Sequence, residues 1–143
     1  MASLYRIQLE PNLISKDCKE LTAKLAAFNS SKVAVNSIHR VGIFVRDHEN
    51  MIRGEIIGYT KWNWLSVDVV WLSEDLRGRR MGSEMLVRIE QMAIQRGCVL
   101  AHLDTFDFQA LGFYQKQGYE IFAISDGYPK GHQRFYLKKE LLL

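Results

Sequence analysis

Long apolar runs are missing from this chain. No stretch approaches the roughly 18 apolar residues of a membrane-spanning helix, and Met1 to Arg6 lack the apolar core of a secretory signal. Neither a membrane anchor nor membrane binding is therefore expected, and a cytoplasmic location is. Cysteine is scarce: Cys18 and Cys98 lack metal-ligand spacing, which argues against both a disulfide framework and a metal centre and for two reduced core thiols. Charge of one sign is not in large excess. A net charge of +3 is too mild to imply nucleic acid by itself. Repeats and low-complexity linkers are also absent. What remains is ordinary globular composition, 48% hydrophobic and 24% charged over 143 residues, expected to form a single domain over 1–143.

The most informative stretch runs from Val67 to Arg96. Val67-Asp68-Val69-Val70-Trp71-Leu72 reads as a strand covered on both faces, with Asp68 its only charge. After Ser73-Glu74-Asp75-Leu76 comes a basic turn, Arg77-Gly78-Arg79-Arg80-Met81-Gly82-Ser83. Met81, Met85, Leu86, Ile89, Met92 and Ala93 then fall at helical spacing on one stripe. A glycine-containing, arginine-bearing turn that opens onto a helix gathers free backbone N–H groups at one place, and phosphate fits such a place. Two common phosphate loops fail here. Gly82 is followed by Ser83 and Glu84 rather than Lys-Ser/Thr, and the three spaced glycines of the dinucleotide fingerprint are reduced to Gly78 and Gly82.

Around this centre the chain reads as a mixed α/β domain. Tyr5, Ile7 and Leu9 alternate with polar residues as in a half-buried strand. Ser15 caps a helix with Cys18, Leu21, Leu25 and Phe28 on its apolar face, Glu20 and Lys24 paired on the wet side, and a stop at Asn29-Ser30-Ser31. Val41, Ile43 and Val45, a turn at Asp47-His48-Glu49-Asn50, and Ile52 through Tyr59 predict an antiparallel hairpin, and Asn63 marks the next turn. Gly97 ends the central helix. Cys98 to Thr105 is then a strand reached through a helical crossover, hence parallel to Val67–Leu72. A helix from Phe108 to Lys116, a strand from Tyr119 to Ile124, a turn-rich loop from Ser125 to His132 and a strand from Arg134 to Lys139 complete the order.

The basic turn resembles the acyl-coenzyme A loop of the GNAT superfamily of N-acetyltransferases: Arg or Gln, two residues, Gly, one residue, then Gly or Ala. Arg77 and Gly82 match its ends, and Arg80 stands where the middle glycine belongs. A second stretch, Asp107-Phe108-Gln109-Ala110-Leu111-Gly112-Phe113-Tyr114-Gln115-Lys116-Gln117-Gly118-Tyr119, is similar to a second signature of that family. Ala110, Tyr114, Lys116, Gly118 and Tyr119 match; Asp107 replaces an asparagine and Gln115 a glutamate. With both signatures in order, the resemblance covers roughly Glu55 to Leu137. The resemblance implies a mostly antiparallel mixed sheet, helices on both faces, and a parallel strand pair splayed where the cofactor lies.

It also implies acetyl-coenzyme A as acyl donor, a primary amine of a small molecule or protein as acceptor, and direct attack without a metal. The phosphates are expected on Arg77, Gly78, Arg79, Arg80, Met81, Gly82 and Ser83, and the pantetheine arm along Val70, Trp71 and Leu72 and near Asp107. Tyr114 is expected to serve the departing thiolate as general acid. An ammonium with a pKa of about 10.4 is deprotonated in only about one part in a few thousand at neutral pH, a deficit of roughly 4–5 kcal/mol. A carboxylate near the amine would help. Asp68 leads, on the reading that it shares a strand face with Val70 and Leu72; Asp104, His102 and Glu55 follow. The loop Ser125 to His132 is a candidate lip over the substrate mouth, and its plainer reading is a surface hairpin loop. The alternative to an enzyme is a non-catalytic module for coenzyme A or another polyanion. Basic residues do not run along a whole face, so nucleic acid is not the expected partner. A homodimer is common among proteins of this resemblance.

Overall fold

The computed structural model describes residues 4–34 and 37–141, in two compact units, Met1–Asn36 and Ser37–Leu143. In the first, helix α1 spans Lys16–Lys32 and Ser15 caps it, its hydroxyl accepting from the Cys18 N–H at 3.3 Å. Asn29 to Ser31 do not stop it. Ser31 donates its hydroxyl proton to the Phe28 carbonyl at 2.6 Å, a local bond that lets serine remain helical. Glu20 pairs with Lys16 at 3.8 Å, not with Lys24. The strand expected at Tyr5, Ile7 and Leu9 does not form. Alternation is only a disposition until a neighbouring strand supplies a ladder, and all six strands belong to the second unit.

The second unit is a six-stranded sheet in the order β1-β2-β3-β4-β6-β5, with β1 His39–Arg46, β2 Ile52–Lys61, β3 Trp64–Leu72, β4 Leu100–Phe106, β5 Glu120–Asp126 and β6 Gln133–Glu140. Every pair is antiparallel except β3–β4. Asp47 closes the first hairpin, its Oδ1 accepting from the Glu49 and Met51 N–H groups. Trp62 and Asn63, both with positive φ, make the two-residue turn into β3 that Asn63 predicted.

Helix α2, Met81–Gln95, lies against β1 to β3 and turns Met85, Leu86, Ile89 and Ala93 into a core with Ile56, Leu65, Val67 and Leu103. Met92, expected on that stripe, is exposed. Helix α3 is shorter than expected, Leu111–Lys116, because Phe106 to Ala110 form a turn closed by Gln109, whose Oε1 accepts from the Phe106 N–H and the Thr105 hydroxyl. Gly118, at φ 92°, ends it and turns the chain into β5.

Candidate active site

The parallel ladder between β3 and β4 is only three pairs long: Trp64 with Leu100, Leu65 with Ala101, Ser66 with His102. Beyond it β3 runs on to Leu72 and β4 to Phe106, so the sheet opens between them. The cause lies in the register of β3 on β2. Val67 opposes Gly58 and Val69 opposes Ile57, which leaves Asp68 as the extra residue of a bulge. Gly58 makes room for it, since a Cβ there would run into the backbone carbonyl oxygen of Ser66.

This bulge resets the faces of β3. Gly58 and Ile56 share the face packed on α2, so their partners Val67 and Val70 do too, although they are three apart. Asp68 therefore does not share a face with Val70 and Leu72, as strict alternation predicts. It lies with Ser66, whose hydroxyl donates to its Oδ1 at 3.1 Å. Nor is the end of β3 covered on both sides, because Val69 and Trp71 are exposed.

Backbone directions along the opening follow from one bond. Ser73 N–H donates to the Arg53 carbonyl at 2.8 Å, so Ser73–Arg53 is a hydrogen-bonded pair. By antiparallel alternation Trp71 and Val69 turn their peptide groups to β2, while Val70 and Leu72 turn theirs to the opening. The Leu72 carbonyl accordingly accepts from Arg77 Nε at 2.9 Å. Of the three residues expected along the pantetheine arm, Val70 and Leu72 have backbone groups facing the opening. Those of Trp71 face the ladder.

The opening continues into a cleft of about 940 Å³. Val67 to Leu72 form one wall and Leu103, Asp104 and Thr105 the other, with the start of α2 at one end and Phe108, Phe113 and Tyr114 beside it. Of the basic turn, Arg77, Gly78, Arg80, Gly82 and Ser83 line it; Arg79 and Met81 do not. Gly78 has φ 77°. Arg80, at the position of the missing glycine, takes the same left-handed region with φ 61° and is the N-cap of α2. A side chain there is strained where glycine would not be. Because that cap makes no side-chain hydrogen bond, the first N–H groups of α2 have neither a capping side chain nor an intrahelical acceptor.

Tyr114 is 8% exposed and lines the cleft. Burial, and after it the negative charge of Asp104, pushes its phenol up to about 12. Asp104 lines the opposite wall, with both Arg134 bonds, 2.8 and 2.9 Å, ending on its Oδ1. His102, in the last ladder pair, is held below the usual imidazole range by burial, with Asp68 and Asp104 opposing. His102 and Glu55 lie outside the lining, as does Asp107. The Asp107 carboxylate accepts from the Gln133 N–H at 3.0 Å and meets His132 Nδ1 at 2.9 Å, tying the β5–β6 loop to the end of β4. That loop stacks Tyr128 near Phe106, and Phe106 on Phe108.

Sequence reasoning missed Gly58, Gln109 and a buried carboxylate, Glu90. The last carried a signal: a charge at helical spacing among Leu86, Ile89 and Ala93.

Residues 2–119 match the model of the acetyltransferase (GNAT) family. A blasticidin-S acetyltransferase of Streptomyces morookaense is 40% identical over 91 residues, 63% of this chain and 67% of that protein. The crystal structure of an acetyltransferase from Bacillus cereus superposes with a TM-score of 0.82 at 30% identity, covering 94% of this chain and 97% of that one. An aminoglycoside 6'-N-acetyltransferase crystallised with coenzyme A shares the fold at a TM-score of 0.65 and 14% identity, over 73% of this chain and 74% of its own. The chain belongs to the GNAT family and is an acetyltransferase. Among the described residues no helix is long and apolar enough to cross a membrane.

Proposed function

We propose that the enzyme takes an acetyl group from acetyl-coenzyme A and transfers it to a primary amine by direct attack. The observation that carries this reading is the opened β3–β4 pair, with a helix N-terminus at one end and a buried tyrosine at its side. The site fits the donor in chemical kind. Backbone groups of Val70 and Leu72 suit an extended amide-bearing arm, and the free amides of α2 with Arg77 and Arg80 suit a diphosphate. Bound acetyl-coenzyme A supplies the activated acetyl carbon and a thiolate leaving group.

Each residue then has a task. The amine nitrogen bonds to the carbonyl carbon while an N–H facing the opening, from Val70 or Leu72, donates to the oxygen as charge builds there. Asp68 accepts the proton that the amine must lose, directly or through water. As the C–S bond breaks, Tyr114 donates a hydrogen bond to the sulfur. With a phenol near 12 against a thiol near 8.5, full transfer of its proton runs uphill. Tyr114 therefore acts chiefly as a hydrogen-bond donor, and the thiol's proton arrives from solvent. The two free cysteines fit a reducing, cytoplasmic setting.

Calorimetry with acetyl-coenzyme A, followed by thiol release against blasticidin S, aminoglycosides, polyamines, amino acids and lysine peptides, tests the reading. Binding with release for one amine class supports it. Binding without release for any amine favours a coenzyme A module, and no binding removes the donor. Tyr114→Phe is expected to lower turnover about 10- to 100-fold with acetyl-coenzyme A affinity little changed; full retained turnover would take the tyrosine out of the mechanism.

A further inference from the structure

Glu90 has no part in the chemistry above, yet it is 6% exposed on the apolar face of α2. It is fully engaged. Lys139 Nζ from β6 donates to its two oxygens at 2.9 and 3.2 Å, and the Tyr119 hydroxyl donates to Oε2 at 2.9 Å. The same ammonium lies 5.6 Å from the centre of the Tyr119 ring. Stability alone is a weak reason for such a group, because well-packed apolar residues in place of a buried ion pair are often neutral or stabilising.

What the network does hold is the segment that carries Tyr114. Helix α3 has six residues and no side-chain N-cap, so it cannot fix its own orientation. Two ties bind its C-terminal end to α2: Gln117 Nε2 donates to Ser83 Oγ at 2.7 Å, and Tyr119 reaches Glu90. Tyr119 in turn touches Tyr114 twice. Its N–H donates to the Tyr114 carbonyl at 3.1 Å, and its ring stands edge-on to the Tyr114 ring with centroids 6.2 Å apart. The phosphate-facing amides and Glu90 are both parts of α2, three turns or less apart.

We propose that Glu90, paired with Lys139, is a positioning residue: through the Tyr119 hydroxyl it fixes Tyr114 relative to the α2 amides, so that the phenol meets the sulfur of a ligand anchored on that helix. This rests on Tyr114 being the hydrogen-bond donor to the sulfur. The step moves no electrons and adds no proton to the balance already given. It sets only where the donor stands.

Coenzyme A itself is the probe, with the full chain and no acceptor. The pKa of its bound thiol is read from the ultraviolet absorbance of the thiolate, beside calorimetric affinity and thermal denaturation. The variants are Tyr119→Phe, which deletes one hydroxyl and leaves the ion pair, and the apolar double variant Glu90→Leu with Lys139→Met. Both are expected to raise the bound-thiol pKa by about one unit, toward the value in Tyr114→Phe. Affinity should stay within about twofold, and the double variant, whose buried Tyr119 hydroxyl loses its acceptor, should melt somewhat lower than the parent while remaining folded. A bound-thiol pKa unmoved in both, with Tyr114→Phe raising it, overturns the role of Glu90 and leaves that of Tyr114. A pKa unmoved in Tyr114→Phe overturns the tyrosine reading on its own arm. Should the double variant not fold, Tyr119→Phe decides.

Discussion

At the α2 end of the cleft, backbone amides stand beside Arg77 and Arg80; at the other end, where β3 and β4 part, β3 contributes Asp68 and β4 contributes Asp104, with His102 in the field of both. One end is positive and made largely of main chain. The other carries two carboxylates, Asp104 paired with Arg134, and is made of side chains. The contrast matches the two halves of the proposed reaction, a phosphate-bearing donor entering from one side and an ammonium-bearing acceptor from the other. It also says what each half tolerates. A cradle of amides depends on backbone conformation, so glycines and left-handed residues control it. A carboxylate end depends on which residue projects where, which the bulge at Asp68 decides.

The largest expected effect comes from damaging the feature both ends share. Gly58→Ala drives a Cβ into the Ser66 carbonyl oxygen and cannot keep the bulge as it stands. A loss of about 1–3 kcal/mol is expected, a fall in Tm of roughly 3–10 °C, with thiol release reduced well beyond the loss of folded protein. Gly42→Ala on β1 is the control, because its Cβ would meet the Phe44 ring at 3.6 Å and the Ile56 carbonyl oxygen at 4.0 Å, both ordinary contacts. Equal effects of the two would mean that the bulge does not organise the site.

Next in size are two substitutions that separate the ends. Asp68→Asn should lower turnover about 10-fold or more, most strongly below neutral pH, with acetyl-coenzyme A affinity unchanged; a pH profile identical to the parent's would count against Asp68 as proton acceptor. Arg80→Gly should do the reverse. Relief of the left-handed arginine raises stability by up to about 1 kcal/mol, while loss of a charged donor weakens acetyl-coenzyme A binding about 10-fold at low salt and less at high salt. Calorimetry at two ionic strengths checks this, and unchanged affinity would make the arginine a bystander.

How much of this was open to reading depended on whether local pattern or pairing decides the feature. The turn that opens onto α2, the α2 stripe apart from Met92 and the β1–β2 hairpin are local, and these elements stand where the residues indicated. Alternation at Tyr5 to Leu9 is a disposition that only a neighbouring strand can realise, and residues 5–9 are not in strand conformation, so alternation misled. Asp68 shows the same limit at one residue. Parity along β3 assigns it to the face of Val70 and Leu72, but the extra residue opposite Gly58 breaks parity, and nothing within Val67–Leu72 records what β2 presents. Glu90 was visible as an anomaly in an apolar stripe, whereas its partners Lys139 and Tyr119 are brought to it only by the sheet order β4-β6-β5.

The smallest effect, and the most direct probe of the carboxylate end, is the titration of His102. Burial depresses its pKa below the usual 6.5, and the charges of Asp68 and Asp104 pull it partly back. The folded state thus binds fewer protons than the unfolded chain between that depressed value and 6.5, so stability falls as pH drops through this window. Asp68→Asn removes one of the opposing charges, and the His102 resonance in proton NMR should titrate lower still, with the acid-side loss of stability extended to lower pH. Asp104→Asn should act in the same direction by less. Arg80→Gly, at the far end of the cleft, should leave the titration where it was. A His102 that titrates at or above 6.5, or that ignores both aspartates while answering to Arg80, would dissolve the division of the cleft into two electrostatic ends.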